Sequence, residues 1–456
     1  MEIVLNTINS IVWGVPALIL ILSVGVYFTI YTKFAQLRLF PAAIRKFTGL
    51  FKKCEHGAEG ISAYRALCTA LAATVGTGNI VGVAGAIALG GPGVVFWMWV
   101  CGILGMITKF AEVTLAVQYR RTNAMGKIVG GPMYMIENGL PGKMRFLGYI
   151  YCFLGVVAAF GIGNATQINA VMNGIKSISS IFHLNWGIVP CFVFTAVIAI
   201  LVMICFWSDN GRIGIWAERL VPFASILYVL LAVGVLVLRY DRIHIAIHQI
   251  IEGAFYPKTV TCGLIGSMFL SVRVGASRGV FTNEAGMGTA SIAHAAADVT
   301  SPVEQGLMGI IEVFFDTIVL CTLTALAILC SGVDIPYGTD PGIKLALYAF
   351  SYVYGDWCQL FITILISLFA FATILGWGLY GVRCLQYLFG DNVWRIYGLI
   401  QTMGIIMGSI IETSIVWTFS EIVNGLMAIP NLIALIILAP EFITIIRDYT
   451  AKKAYS

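Results

Sequence analysis

A polar, glycine-rich segment lies in the middle of a stretch long enough to cross a membrane. Residues 66–89 carry no charged side chain, and about 20 apolar residues span the hydrocarbon core. The centre of this stretch, residues 76–82, reads Gly-Thr-Gly-Asn-Ile-Val-Gly. Glycine, threonine and asparagine are poor helix formers. We therefore predict that the helix is broken there.

A broken helix at membrane depth leaves backbone N–H and C=O groups without intrahelical partners, which is tolerated only where they are buried in protein or line a cavity. The freed N–H groups then face an anion and the freed carbonyls a cation. The alternative is a close-packed helix seam, since Gly78 and Gly82 lie four residues apart and small residues let helices approach. Thr77 and Asn79 add polarity that packing does not need, which favours a site for a polar solute and an ion.

Composition indicates a single integral membrane domain over residues 1–456. The chain is 59% hydrophobic and 11% charged, with a mean hydropathy of +0.92. Residues 1–10 lack the basic region of a signal peptide, so we expect the first apolar run to be retained as a helix. The fold class is therefore an all-α membrane protein.

Eleven apolar runs are predicted to be transmembrane helices. They are residues 11–32, 62–89, 94–118, 146–180, 187–206, 217–238, 260–279, 303–331, 357–388, 394–415 and 417–446. If the first enters from outside, 22 of the 27 lysines and arginines fall inside, Arg273 and Arg278 among them. The positive-inside rule then places the N-terminus outside and the C-terminus in the cytoplasm. The net charge of +5 reflects this topology, and no nucleic-acid partner is expected.

Ten of the spans divide into two sets of five. Residues 11–60 form an extra N-terminal helix and a basic loop, followed by a first repeat over 61–240 and a second over 260–446. Because five is odd, the second repeat is inverted. The broken first core helix has a predicted counterpart in the sixth, where residues 262–267 read Cys-Gly-Leu-Ile-Gly-Ser. Paired interruptions in two inverted halves are typical of a transporter site at the repeat interface.

Two further spans carry polar residues at helical spacing. Gly163 and Gln167 lie four residues apart and share a helix face, so they make room for a solute and offer it a hydrogen bond. Helix–helix hydrogen bonding by Gln167 is the alternative. Ala370, Thr373 and Trp377 also share a face, where a carbonyl and a hydroxyl would suit sodium. The alternatives are packing for Trp377 and a bond from Thr373 to its own helix.

Acidic residues within spans need partners. Glu304, Glu312 and Asp316 share one predicted span, and we expect inner-side ion pairs with Arg273 and Arg278. A structural or gating role is favoured over a proton relay.

Other classes of function lack their residues. A membrane enzyme would need paired aspartates, an activated nucleophile or clustered metal ligands, and none has suitable spacing. The eleven cysteines include no C-x-x-C pair and the five histidines are scattered, so no cofactor is expected. A channel is a further alternative, and a scaffold would leave the broken helices unexplained.

Several motifs together resemble those of the alanine or glycine:cation symporter family. They are residues 76–82, 89–93, 130–134, 278–286, 293–297, 312–317 and 375–377, in family order. The resemblance implies the leucine-transporter fold, with ten core helices in two inverted repeats. It also implies sodium-coupled, sometimes proton-coupled, uptake of a small neutral amino acid (alanine, possibly glycine or serine) across a bacterial or archaeal inner membrane. The implied partners are that amino acid, sodium and the lipid bilayer, with no obligate protein partner.

The same resemblance implies which residues form the site. The substrate-binding residues would be Thr77, Gly78, Asn79, Gly163, Gln167, Ser267, Met268 and Trp377. The sodium ligands would be the carbonyls of Ala72, Val75 and Ala370 and the hydroxyl of Thr373. One stretch departs from the family pattern, because residues 267–273 are less rich in glycine and alanine than expected for a pocket wall.

Overall fold

Helices make up nearly all of the described chain. A computed structural model describes residues 2–50, 61–124, 126–181, 183, 189–207, 211–261, 267–339 and 342–454. The α-helices in chain order are α1 (Glu2–Val12), α2 (Val15–Tyr31), α3 (Ala35–Arg38), α4 (Phe40–Leu50), α5 (Ala63–Thr74), α6 (Val81–Gly90), α7 (Val94–Gln118), α8 (Pro132–Gly139), α9 (Phe146–Phe160), α10 (Thr166–Ile181), α11 (Val189–Trp207), α12 (Gly211–Leu238), α13 (Ile243–Phe255), α14 (Pro257–Val260), α15 (Met268–Asn283), α16 (Thr289–His294), α17 (Pro302–Val313), α18 (Thr322–Ser331), α19 (Ile343–Tyr354), α20 (Trp357–Phe389), α21 (Trp394–Ile410), α22 (Thr413–Ile437) and α23 (Ala439–Ala454). Two short strands, β1 (Arg121–Thr122) and β2 (Ile128–Val129), pair in antiparallel fashion.

Eight helical stretches of the described residues are long and apolar enough to cross a membrane. They are Ile3–Tyr31, Val94–Gln118, Gly142–Ser180, Val189–Phe206, Ile213–Leu238, Pro302–Ser331, Trp357–Phe389 and Thr413–Ile437. The bent pair α5 and α6 makes a ninth. Two predicted spans correspond to α15 and α21, which have 16 and 17 residues and are too short to be counted by themselves. The prediction of a helical membrane protein is confirmed, while the predicted number of eleven transmembrane helices stays a prediction.

The predicted break in the first core helix is present. The α5 helix ends at Thr74, Val75 and Gly76 are extended, and a single 3-10 turn, Thr77–Asn79, leads into α6. The two halves are bent by 56°. The polar glycine-rich segment therefore unwinds, as its composition predicts.

An interruption also lies after α15, later in the chain than the predicted one. Most of the predicted break at 262–267 falls outside the described residues, of which only Ser267 is included. The α15 helix runs on to Asn283, and the chain then turns through left-handed conformations at Glu284, Gly286 and Gly288, with φ of 54°, 94° and 76°. Glycine adopts such angles without steric cost. The interruption between α15 and α16 is therefore made by the glycine-rich segment 284–288.

The bounds of α15 affect where two of its arginines, Arg273 and Arg278, lie relative to the other helices. Arg273 and Arg278 line one cavity together with Asn6 and Leu89, the latter near the end of α6. The charge pattern assigns that end to the outside, so this cavity does not support the prediction that the two arginines lie inside. Within α15, which starts at Met268, Arg273 is the sixth residue and Arg278 the eleventh.

The N-terminal helical segment lies against the last helices of the chain. The α1 and α2 helices together form the first span, which begins earlier than the predicted residue 11. The α1 helix packs mainly on α22, and α2 mainly on α7. Trp13, at the junction of α1 and α2, is buried.

Candidate functional site

Side-chain hydrogen bonds hold the break between α5 and α6. The N–H of Gly76 donates to Oδ1 of Asn79 at 3.0 Å. The hydroxyl of Thr77 donates to Oε1 of Gln167 at 3.0 Å, and Nδ2 of Asn79 donates to Oδ1 of Asp316 at 2.6 Å. The break is thus tied to α10 through Gln167 and to the π-helical segment Phe314–Cys321 through Asp316.

Two backbone carbonyls at the break lose their usual donors. In a continuous helix the carbonyl of residue i accepts from the N–H of residue i+4. Here the N–H of Gly76 donates to the Asn79 side chain, and the N–H of Asn79 donates to the carbonyl of Gly76. The carbonyls of Ala72 and Val75 are therefore left without those partners. Both residues are buried.

A π-helical turn brings Gly163 and Gln167 into position. Residues Gly161–Ala165 form this turn between α9 and α10. Widening of the helix frees carbonyls for other donors, and Nε2 of Gln167 donates to the carbonyl of Ile162 at 3.0 Å. This bond directs Oε1 of Gln167 toward Thr77. A Cβ on Gly163 would lie 2.5 Å from Cβ of Trp377, so glycine allows α20 to approach closely.

The Thr373 hydroxyl faces the break and has no hydrogen-bond partner among the described residues. Its side chain is buried, and its Oγ1 would lie 2.5 Å from a Cβ on Gly76. Thr363 and Ser367 on the same helix donate to carbonyls four residues earlier, at 2.8 and 2.7 Å. Thr373 does not form the back-bond that its helix offers. Ala370, one turn earlier, is also buried.

On the other side of the break, α15 supplies two residues that the sequence did not single out. A Cβ on Gly78 would contact the Thr282 methyl at 3.6 Å and the Phe281 ring at 3.9 Å. Both residues lie within the family motif at 278–286, and this motif was the feature of the sequence that could have indicated their place in the site. The structure does not bring Ser267 and Met268 to the break.

Ser267 and Met268 are exposed instead, and Met268 keeps 46% of its surface accessible. Ser267 caps the start of α15 by accepting from the N–H of Phe269. Phe281 lies thirteen positions after Met268, which is about 20 Å along a helix. The expectation that they are pocket residues followed from placing the second interruption before α15 rather than after it.

An ion pair and two stacked rings lie beside a cavity next to the break. This cavity has a volume of about 230 Å³ and is lined by α6, α10, α22 and Arg278. Phe281 stacks on Trp417 with 5.9 Å between the ring centroids, and the Arg278 guanidinium lies 5.7 and 5.9 Å from the two rings. Arg278 is paired with Glu421 of α22 at 2.7 Å. These side chains connect α15 and α22 across one end of the site.

Buried charges fix the second interruption. Glu112 on α7 accepts from the N–H groups of Gly286 and Gly288 at 2.9 and 3.1 Å, and from Nδ2 of Asn431 at 2.7 Å. A buried carboxylate needs such donors. The turn after α15 is thereby attached to α7 and α22.

The acidic residues of α17 do not pair with the arginines of α15. Glu312 pairs with Lys109 of α7 at 3.3 Å and with Nε2 of His294 at 3.0 Å, all three fully buried. Glu304 pairs with Lys46. The expected inner-side pairs are therefore replaced by pairs with α7, α16 and α4.

These features define a class of protein. The described chain is a bundle of apolar helices in which a broken helix, a second interrupted helix and a polar π-helical turn meet at buried oxygen atoms. Interrupted helices around a central polar site are typical of secondary transporters.

The chain belongs to the sodium:alanine symporter family, whose model matches residues 1–456. The sodium/alanine symporter AgcS of Methanococcus maripaludis is 39% identical over 439 residues, covering 95% of this chain and 94% of that protein. The probable sodium/glutamine symporter GlnT of Bacillus subtilis is 34% identical over 458 residues, covering 99% and 91%. The resemblance found in the motifs is confirmed.

A solved structure shares the fold. The crystal structure of MhsT in complex with L-phenylalanine matches with a TM-score of 0.58 at 15% identity, covering 86% of this chain and 99% of that one. The predicted leucine-transporter fold is confirmed.

Proposed function

We propose that this protein couples inward movement of sodium to uptake of a small neutral amino acid by alternating access. The observation that carries the proposal is the buried Thr373 hydroxyl, which faces the helix break without a hydrogen-bond partner among the described residues. Buried polar groups are almost always paired, so an unpaired one beside freed carbonyls favours a ligand. Family membership supports the same function.

Sodium fits the oxygen atoms at this position. The carbonyls of Ala72 and Val75 have lost their helical donors, and Thr373 adds a neutral hydroxyl. The carbonyl of Ala370, one turn before Thr373, completes the proposed set. Hard cations take carbonyl and hydroxyl oxygens.

The amino acid would lie on the other side of the break. The first N–H groups of a helical turn have no intrahelical acceptor, so those of Thr77 and Gly78 suit a carboxylate. Asn79 holds the turn in place through Gly76 and Asp316. Phe281 and Thr282 contact the Gly78 side of the break and take the place in the proposal that Ser267 and Met268 had in the sequence prediction.

Trp377 is the residue to which we assign the limit on substrate size. Trp377 packs directly on Gly163 beside Gln167 and is buried. We assign it the role of bounding the substrate side chain, which favours alanine, with glycine and serine as close alternatives. The orientation that fits the charge pattern has the N-terminus outside the cell membrane and the C-terminus in the cytoplasm.

Radiolabelled alanine uptake into proteoliposomes tests the proposal. Sodium, lithium and proton gradients are imposed separately. We expect alanine to accumulate with an inward sodium gradient, more weakly with lithium, and not with a proton gradient by itself. Uptake driven by a proton gradient without sodium would favour the proton-coupled alternative, for which the buried carboxylates of Glu112, Glu284 and Glu312 are the supporting observation. Equilibration without accumulation under every gradient would contradict symport.

A further inference from the structure

The N-terminal helix reaches the acidic partner of Arg278. Nδ2 of Asn9 donates to Oε2 of Glu421 at 2.8 Å. Nε1 of Trp13 donates to the backbone carbonyl of Glu421, also at 2.8 Å. The other carboxylate oxygen, Oε1, lies 2.7 Å from Arg278. Each oxygen of one carboxylate therefore has a different partner, one on α15 and one on α1.

The ion pair lies between two cavities. Arg278 lines both the cavity beside the break and a second one of about 290 Å³. The second cavity is lined by Asn9 and Trp13 of the N-terminal segment and by Arg273 and Arg278 of α15. A Glu421 carboxylate released from Asn9 has room to turn into this space. Its pairing with Arg278 then depends on the N-terminal helix.

Close packing keeps the N-terminal helix in register with Glu421. Gly425 lies one turn after Glu421 on α22, and a Cβ there would be 2.4 Å from Cγ1 of Val12 and 3.2 Å from Nε1 of Trp13. Only glycine permits this approach. The contact fixes the distance at which Asn9 and Trp13 meet α22.

We propose that the N-terminal segment Ile3–Tyr31, which lies outside the ten-helix core, positions Glu421 for its ion pair with Arg278 and so stabilises closure of the cavity beside the helix break. Asn9 and Trp13 are positioning residues and do not touch the substrate. The inference rests on the proposed transport function and adds a role for the extra span. The closed state is stabilised because Asn9 holds the Glu421 carboxylate, and Trp13 holds the Glu421 backbone, where Arg278 meets the carboxylate.

A cysteine reporter measures this closure. Ala170 lines the cavity beside the break and is 2% exposed. In the full-length protein in proteoliposomes, Ala170→Cys is labelled with a membrane-impermeant maleimide in the presence of sodium and alanine. The same protein without this substitution gives the background from native cysteines, of which the nine described are all buried.

The two positioning residues are changed one at a time. Asn9→Leu removes the donor to a charged oxygen and should increase the labelling rate roughly tenfold, while Trp13→Phe removes a neutral bond and should increase it roughly twofold to tenfold. Asn6→Leu is the matched control, because Asn6 lies one turn earlier on α1, is exposed and makes no hydrogen bond to Glu421 among the described contacts. It should label at the wild-type rate.

A double substitution tests whether the effect passes through Glu421. Glu421→Gln by itself should speed labelling, and adding Asn9→Leu should change it little further, because coupled residues are not additive. The proposal would be overturned if Asn9→Leu and Trp13→Phe were both labelled at the wild-type rate while Glu421→Gln was labelled faster. Unchanged labelling of Glu421→Gln would also overturn it.

Equilibrium binding of alanine in the same samples separates this inference from the function on which it rests. Sodium-dependent binding by the wild type supports the proposed function whatever the labelling shows. If the wild type does not bind alanine under any cation, the proposed function fails. Folding is checked for each variant by a monodisperse elution profile, and the milder Trp13→Phe keeps the test available if Asn9→Leu is unstable.

Discussion

The hydroxyl oxygen of Thr373 faces Gly76 at the point where the α5 helix is broken. A Cβ on Gly76 would lie 2.5 Å from that oxygen, a distance that real Cβ atoms do not reach. The oxygen has no hydrogen-bond partner in the described part of the chain, although the hydroxyls of Thr363 and Ser367 on α20 bond to their own helix. This relationship joins the two halves of the proposed sodium site, and the first two predictions depend on it.

Removing the Thr373 hydroxyl should weaken sodium binding. A polar contact to a charge contributes roughly 1.5–3 kcal/mol, so Thr373→Ala should raise the sodium concentration needed for half-maximal alanine binding about tenfold or more. Thr373→Ser keeps the hydroxyl and should retain most of the affinity. Equal sodium affinity in the wild type and Thr373→Ala would remove Thr373 from the site.

The two glycines of the break should respond differently to substitution. Gly76→Ala pushes the Thr373 hydroxyl away and should abolish sodium-dependent binding. Gly78→Ala meets Thr282 and Phe281 only at 3.6 and 3.9 Å, which is ordinary contact, and should keep measurable alanine binding. Equilibrium binding of alanine by both variants at matched expression shows which substitution is the more harmful. The reverse order would show that Gly78, rather than Gly76, is the constrained position.

Substrate analogues test whether the break binds the carboxylate. If the N–H groups of Thr77 and Gly78 hold the carboxylate, alaninamide should fail to displace radiolabelled alanine from the wild type, whereas serine should displace it. The control is an excess of unlabelled alanine in the same preparation. Effective competition by alaninamide would mean that the helix break does not recognise the carboxylate.

Trp377 should control the size of the transported amino acid. Trp377→Leu should admit leucine or valine, since a methylene in a pocket changes binding by roughly 1–3 kcal/mol and selectivity about tenfold. Gly163→Ala is a companion variant, because its Cβ would lie 2.5 Å from that of Trp377 and displace the indole. Competition of radiolabelled alanine uptake by the larger amino acids measures both. Normal alanine transport with leucine still excluded would make Trp377 a packing residue.

Asn79 and Asp316 should tolerate exchange better than single substitution. In the wild type the amide of Asn79 donates to Asp316 while its oxygen accepts from Gly76. Asn79→Asp places two carboxylates together without a donor and should reduce alanine affinity roughly tenfold or more. Adding Asp316→Asn restores a donor–acceptor pair, and the double variant should recover much of the lost affinity. If the double variant is as impaired as Asn79→Asp, the pair does not act through this hydrogen bond.

Local composition was enough to predict the first helix break. Glycine, threonine and asparagine between apolar flanks disfavour a continuous helix wherever they occur, and the α-helix is interrupted at residues 75–80 before α6 begins at Val81. Spacing along one helix likewise predicted that Thr373 and Trp377 share a face, which meets Gly76 and Gly163. The family followed from short motifs, because their order along the chain is preserved.

Contacts between distant segments were decided only by the tertiary structure. The sequence pattern offered an apolar run with glycines at 262–267 and a polar glycine-rich run at 278–286, and periodicity does not say which of the two is opposite Gly78. The left-handed turns at Gly286 and Gly288, held by Glu112, place Phe281 and Thr282 there and leave Met268 exposed. The ion pairs were misassigned for the same reason. A charged side chain within a span must find a partner, but the partner is set by which helices pack together, as for Arg278 with Glu421 of α22.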